Sequence, residues 1–214
     1  MPALPSLHIS VETWRQLPHS YAVVGQFLAL HLADASVVAT PTGPPSRLVL
    51  TIHEPPLYMP QWQREAGLFD PPLEQRLLQL RTTAPGDCPD VVFRAYFPLN
   101  LAPWPRSASP ALQRTCRPIV YVFGTTEYRI AGPAFLEEPM RHHWRNMAAT
   151  VFIVPPSAWA AAGFLATGVP QDRLWILPHG IEPTIFRCVC VPLRPCVRAC
   201  WCGALHADSR VHLP

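Results

Sequence analysis

Glycine is scarce in this sequence, 10 residues in 214, and its placement forms no phosphate-binding pattern. No Gly-x-Gly-x-x-Gly turn, Walker loop or Gly-x-Ser-x-Gly elbow occurs, which argues against a dinucleotide fold, a P-loop and an α/β-hydrolase. Lysine is absent. All 17 basic residues are arginine, which we read as a signature of codon composition in a GC-rich genome. Charged residues make up only 14%, and residues 1–187 hold 14 Arg against 13 acids. With no basic stripe interleaved with aromatics, nucleic acid is not expected as a partner.

Long apolar runs are missing as well. Residues 148–171 carry no charge, but Pro155-Pro156 interrupts them, and a spanning helix needs about 20 continuous apolar residues. No transmembrane segment is therefore expected. The start, Met1-Pro2-Ala3-Leu4-Pro5, lacks the basic and apolar regions of a secretory signal. Before residue 188 there are two cysteines, Cys88 and Cys116, which imply no disulfide framework. A soluble cytoplasmic protein is the resulting expectation. No His-Glu-x-x-His motif is present, and the adjacent His142 and His143 would point to different sides of a helix, so no metal site is expected.

What the chain does have is 49% hydrophobic residues and 28 prolines, well above the roughly 5% proline background. The prolines fall between apolar runs, which suits short elements joined by stiff loops. Strands are expected at 7–11, 47–52, 90–95, 119–123, 151–154 and 173–177. A helix capped by Ser20 fits 20–33, where Tyr21, Val24, Leu28 and Leu32 recur at helical spacing. A short helix fits 73–80, with Pro71-Pro72 at its entry, and a weaker one 135–149, interrupted by Pro139. Ser157 caps a further helix running to Thr167, with Gly168 as its left-handed end and Pro170 beyond. Strands alternating with helices predict an α/β domain over 1–187, a doubly wound parallel sheet.

In such a sheet ligands bind outside the carboxyl ends of the strands. The loops there are 14–19, 53–63, 96–103, 123–128, 155–159 and 178–183, rich in Trp, Tyr, His, Glu and Asn. Aromatic faces beside fixed hydrogen-bonding groups suit a polyhydroxylated ligand such as a sugar, among others. His19, His53 and His179 stand at strand exits, where a functional and a loop-structural role are equally open. Glu54 fits an acid, a base or a loop-capping carboxylate, and Glu127, flanked by Thr125 and Thr126, stands on the same footing. His8 lies inside a strand and reads as a satisfied core histidine.

The stretch VPPSAWAAAGFLATGVPQDRLWILPHGIEPTIF, residues 154–186, resembles the end of the N-terminal domain of family 4 retaining glycosyltransferases of the GT-B fold. The Ser-x-Trp-x-x-x-Gly-Phe helix, the Gly-Val-Pro turn and the Pro-His-Gly-Ile-Glu-Pro exit follow in the family's order. WRQLPHSYAVVGQF (14–27), PDVVFRAYFPLNLAP (89–103) and VFGTTEY (122–128) are similar to one branch of it. The resemblance implies a Rossmann-like N-terminal half that shapes the acceptor side. It also implies sugar transfer from a nucleotide-sugar to an acceptor, with no obligatory metal. The donor would be held by a second domain with a Glu-x7-Glu motif, and nothing after Phe186 matches that domain. The resemblance assigns no catalytic residue. It makes Thr125 and Glu127 candidates for acceptor contact, and places Ser157, His179 and Gly180 at motif positions bordering the interdomain cleft. The chain alone is accordingly expected to be inactive, the alternative being a non-catalytic glycan- or protein-binding module.

Residues 188–214 form a Cys- and Arg-rich tail with five of the seven cysteines within fifteen residues. Neither a Cys-x2-Cys knuckle nor a His pair at zinc spacing occurs, and no apolar period is present. The simplest account is an irregular, non-homologous tail produced by an altered reading frame or a retained intron.

Overall fold

The computed structural model describes residues 4–35, 37–38, 44–96, 101, 104, 116–124 and 149–179. Its strands are β1 (Ser6–Glu12), β2 (Val37–Val38), β3 (Ser46–His53), β4 (Val91–Arg94), β5 (Ile119–Phe123) and β6 (Val151–Val154). Its helices are α1 (Ser20–Asp34), α2 (Pro71–Gln79) and α3 (Ala158–Ala166), with a 3-10 turn at Gln171–Arg173. The six strands form one mixed α/β sheet in the order β2-β3-β1-β4-β5-β6. β3 lies on one side of β1 and β4 on the other, both parallel to it, so the order reverses at β1. Beyond β4 the pairs β4–β5 and β5–β6 are also parallel.

Alternation along the strands separates two packings. Val11 and Ile52, paired in register, cluster with Ala29 and Leu30 of α1, Leu77 of α2 and Phe69. Val92, Val120 and Val151, also in register, cluster with Val122, Trp104 and Cys116. Gly25 lets α1 approach the end of β1, because a Cβ there would overlap Thr13 Oγ1 and come within 2.9 Å of the Ala95 Cβ. His8 is half-buried with its Nε2 3.0 Å from Thr51 Oγ1, the satisfied histidine its position suggested.

Several expectations need correction. Ser20 does not cap α1. His19 does, because its carbonyl accepts the Val23 N–H at 2.9 Å, and no side-chain cap bond forms. The expected helical spacing holds in part: Tyr21 joins Ala22, Gly25, Gln26, Ala29 and Leu30 in the buried stripe of α1. Leu28 and Leu32 pack against the Val11–Ile52 cluster, and Val24 and Leu28 also pack around Ala95, Phe123 and Val154. The sheet is not all parallel, since β2 pairs antiparallel with β3; two residues are too few to show a period. The segment expected as a strand at 173–177 makes one parallel bridge, Leu174 to Ile153, with Trp175 and Leu177 donating to Ile153 O and Pro155 O. Arg173 belongs to the 3-10 turn before it.

Cys88 and Cys116 form a disulfide across 28 residues of sequence, against the expectation from the cysteine count. The fold brings them together because β4 and β5 start side by side. Closing a loop of this length stabilises by about 3–4 kcal/mol on the chain-entropy estimate. No helix among the described residues is long and apolar enough to cross a membrane. Residues 135–148 and the tail 188–214 lie outside the described residues.

Candidate functional site

Two loops leave the carboxyl ends of β1 and β3, residues 13–19 and 54–70, and they are braced against each other at several points. Glu54 is the main clamp. Its Oε1 accepts the Arg15 backbone N–H and forms an ion pair with Arg64 Nη2, and its Oε2 accepts from the Arg15 guanidinium, each at 3.0 Å. The Arg15 guanidinium also donates to Leu80 O at 2.7 Å. Of the roles open to Glu54 from sequence, the geometry matches the loop-capping carboxylate.

Gln16 is the second brace. It is the one non-glycine residue with positive φ among those described, at 56°, a conformation that persists only where its surroundings fix it. Its N–H donates to Oε1 of the fully buried Gln26 at 3.0 Å, and its carbonyl accepts the Glu65 N–H at 2.7 Å. Its side-chain amide donates to Glu74 of α2, which also accepts from Gly67 N. Gly67 itself has φ 79°. Trp14, with no exposed surface, donates its indole N–H to Pro55 O at 2.8 Å.

Between the braced loops lies an open cleft of about 280 Å³. Leu17, Pro18 and His19 line it from the first loop; Gln61, Trp62, Gln63 and Glu65 line it from the second. Trp62 is half-buried and its ring sits 4.7 Å from His19 and 5.3 Å from Trp14. His19 stacks on Tyr21 at 5.9 Å, and Tyr96 meets Trp14 edge-on at 5.7 Å. The cleft thus offers aromatic faces on a rigid backing, two carboxamides and one carboxylate.

Below the loops, where the strand order reverses, Glu12 and Arg94 close the ends of β1 and β4. They are partners in register, and Arg94 Nε donates to Glu12 Oε2 at 2.6 Å with side chains only 1% and 6% exposed. Neither was singled out from sequence. The one available signal is a charge at the last position of each apolar strand.

Of the candidate residues described, only His19 lines the cleft. His53 is half-buried at the end of β3, in register with Glu12, and its carbonyl accepts the Thr13 N–H. Ser157 caps α3, its Oγ accepting the Ala160 N–H at 3.1 Å, and Gly168 takes φ 94° beyond that helix. His179 rests its ring 5.6 Å from Phe123 at the end of β5. Desolvation of that ring lowers its pKa although the residue as a whole stays exposed. Thr125, Glu127 and Gly180 lie outside the described residues. Sequence reading missed Gln16, Gln26, Glu65 and Glu74, whose roles depend on contacts between loops and helices distant in sequence. No protein-family model matches the chain, and no curated protein is similar to it.

Proposed function

We propose that residues 7–187 are the acceptor-side half of a glycosyltransferase-like protein, and that the cleft between the β1 and β3 loops holds a saccharide acceptor. The observation that carries this reading is the half-buried Trp62 beside His19, with Gln61, Gln63 and Glu65 around them. An aromatic face takes the apolar face of a sugar ring, and the polar groups take its hydroxyls. The fold is in keeping with it. Taken in chain order, the five mutually parallel strands lie 2-1-3-4-5, an order found in doubly wound sheets, whose ligands sit at the carboxyl ends where the order reverses. The likeness of residues 154–186 to the family's Ser-x-Trp helix and Pro-His-Gly exit supplies the reaction class.

The donor would be a nucleotide-sugar, and its diphosphate needs convergent cationic or backbone N–H groups. The described cleft lining contains no arginine. One observation favours the alternative of a non-catalytic glycan-binding module: Glu54, the carboxylate at the end of β3, is fully engaged in bracing loops. Both readings share the saccharide and differ in transfer.

Calorimetry on the 214-residue chain tests the proposal. Cellobiose should bind with Kd on the order of 1 mM, as expected for a small ligand on an open site. UDP-glucose should give no saturable heat. Tight binding of the nucleotide-sugar by this chain alone would contradict the division of labour proposed.

A further inference from the structure

Resting on the reading of the cleft as a saccharide site, we propose that it selects its ligand by charge. It takes an uncharged or amino-bearing hexose ring and refuses a phosphorylated one. Glu65 is the one carboxylate in the described lining, and no arginine joins it there. Gln61 and Gln63 donate and accept without charge.

The two guanidinium groups nearest in sequence are turned to other work. Arg15 is 8% exposed and held by Glu54 and the Leu80 carbonyl. Releasing it would leave Glu54, 18% exposed at its side chain, short of one of its two guanidinium partners. Arg64 stands between Gln63 and Glu65 in sequence, yet it points to Glu54 Oε1 at 3.0 Å. A phosphate needs a free guanidinium fork or a group of convergent backbone N–H donors. Here it would meet the Glu65 carboxylate instead. An ammonium group on the sugar would find that carboxylate and the face of Trp62, both attractive to a cation.

Arg64 is the point on which this turns, because its side chain is 49% exposed and an exposed ion pair holds weakly. The experiment therefore includes it. Intrinsic tryptophan fluorescence of the 214-residue chain at low ionic strength is followed during titration with methyl β-glucoside, glucosamine and glucose 6-phosphate. Trp62→Phe serves as the reference for signal from the cleft. The expected order of affinity is glucosamine, then the glucoside, then glucose 6-phosphate, the last about fivefold weaker than the glucoside from repulsion across a few ångströms of wet cleft. Glu65→Gln should bring all three to within about twofold of one another, since it removes the charge and keeps the shape. Glucose 6-phosphate binding as tightly as the glucoside would overturn the proposal. So would tighter phosphate binding that disappears in Arg64→Ala, or an order of affinities unchanged in Glu65→Gln. A Trp62-dependent signal with none of the three ligands would overturn the saccharide reading itself, a result distinct from a wrong order among ligands that bind.

Discussion

The Glu12–Arg94 pair shows how one residue choice fixes the floor of this molecule. Two charges with 6% and 1% side-chain exposure lose most of their hydration, and their mutual attraction recovers it only while both are present. Removing one partner is the severe perturbation. Glu12→Ala should lower unfolding stability by about 3–5 kcal/mol in urea denaturation, because it leaves a buried guanidinium without its carboxylate. The double variant Glu12→Leu/Arg94→Met should recover much of that loss. A single variant within about 1 kcal/mol of the parent would mean that the pair is not buried as described. Nothing in the periodicity of the strands marks either residue. A charge ending an apolar strand reads equally as a solvent-exposed terminus, and only the register of β1 with β4 brings the two together.

At the scale of elements, the sequence was most legible where a local pattern suffices. β1, β3, β4, β5 and β6 fall close to the expected spans, because each is an apolar run bounded by Pro, Gly or charge. Ser157 and Gly168 frame α3 as their chemistry requires. Elements set by tertiary partners were less legible. β2 is two residues long, the segment after Arg173 makes a single bridge, and α1 starts from a histidine whose backbone alone serves as its cap. The close approach of α1 to the end of β1 is likewise invisible in sequence, where Gly25 reads as a mild helix weakness. The structure makes it a packing requirement. A methyl group there would overlap Thr13, which has no exposed surface, and would force the helix away from the root of the first cleft loop. Gly25→Ala gains about 1 kcal/mol in helix propensity, but the overpacking costs about 1–3 kcal/mol. Thermal unfolding should therefore show a net loss, and saccharide affinity should fall with it. A stabilised variant would indicate that the approach is looser than described.

At the scale of the whole molecule, the order of the strands decides where a ligand can go, and strand order is not written in any local pattern. The order reverses at β1, which has β3 on one side and β4 on the other. Trp14, Thr13 and Tyr96 follow those two strands directly. The loop containing Trp62 reaches the same place from β3, held by Glu54, Gln16 and Glu74. The aromatic loops were legible as a list, while their convergence was not. His19 and Trp62 lie in the same cleft, whereas Ser157 and His179 serve a helix cap and a ring contact elsewhere on the sheet. The account stands on whether that cleft holds a sugar. A crystal structure of the chain grown with saturating cellobiose measures this directly. The account predicts one pyranose ring lying on the face of Trp62 in van der Waals contact, with hydroxyls bonded to Gln61, Gln63 or Glu65. Cellobiose bound away from Trp62, or a cleft left empty at a saturating concentration, would contradict it.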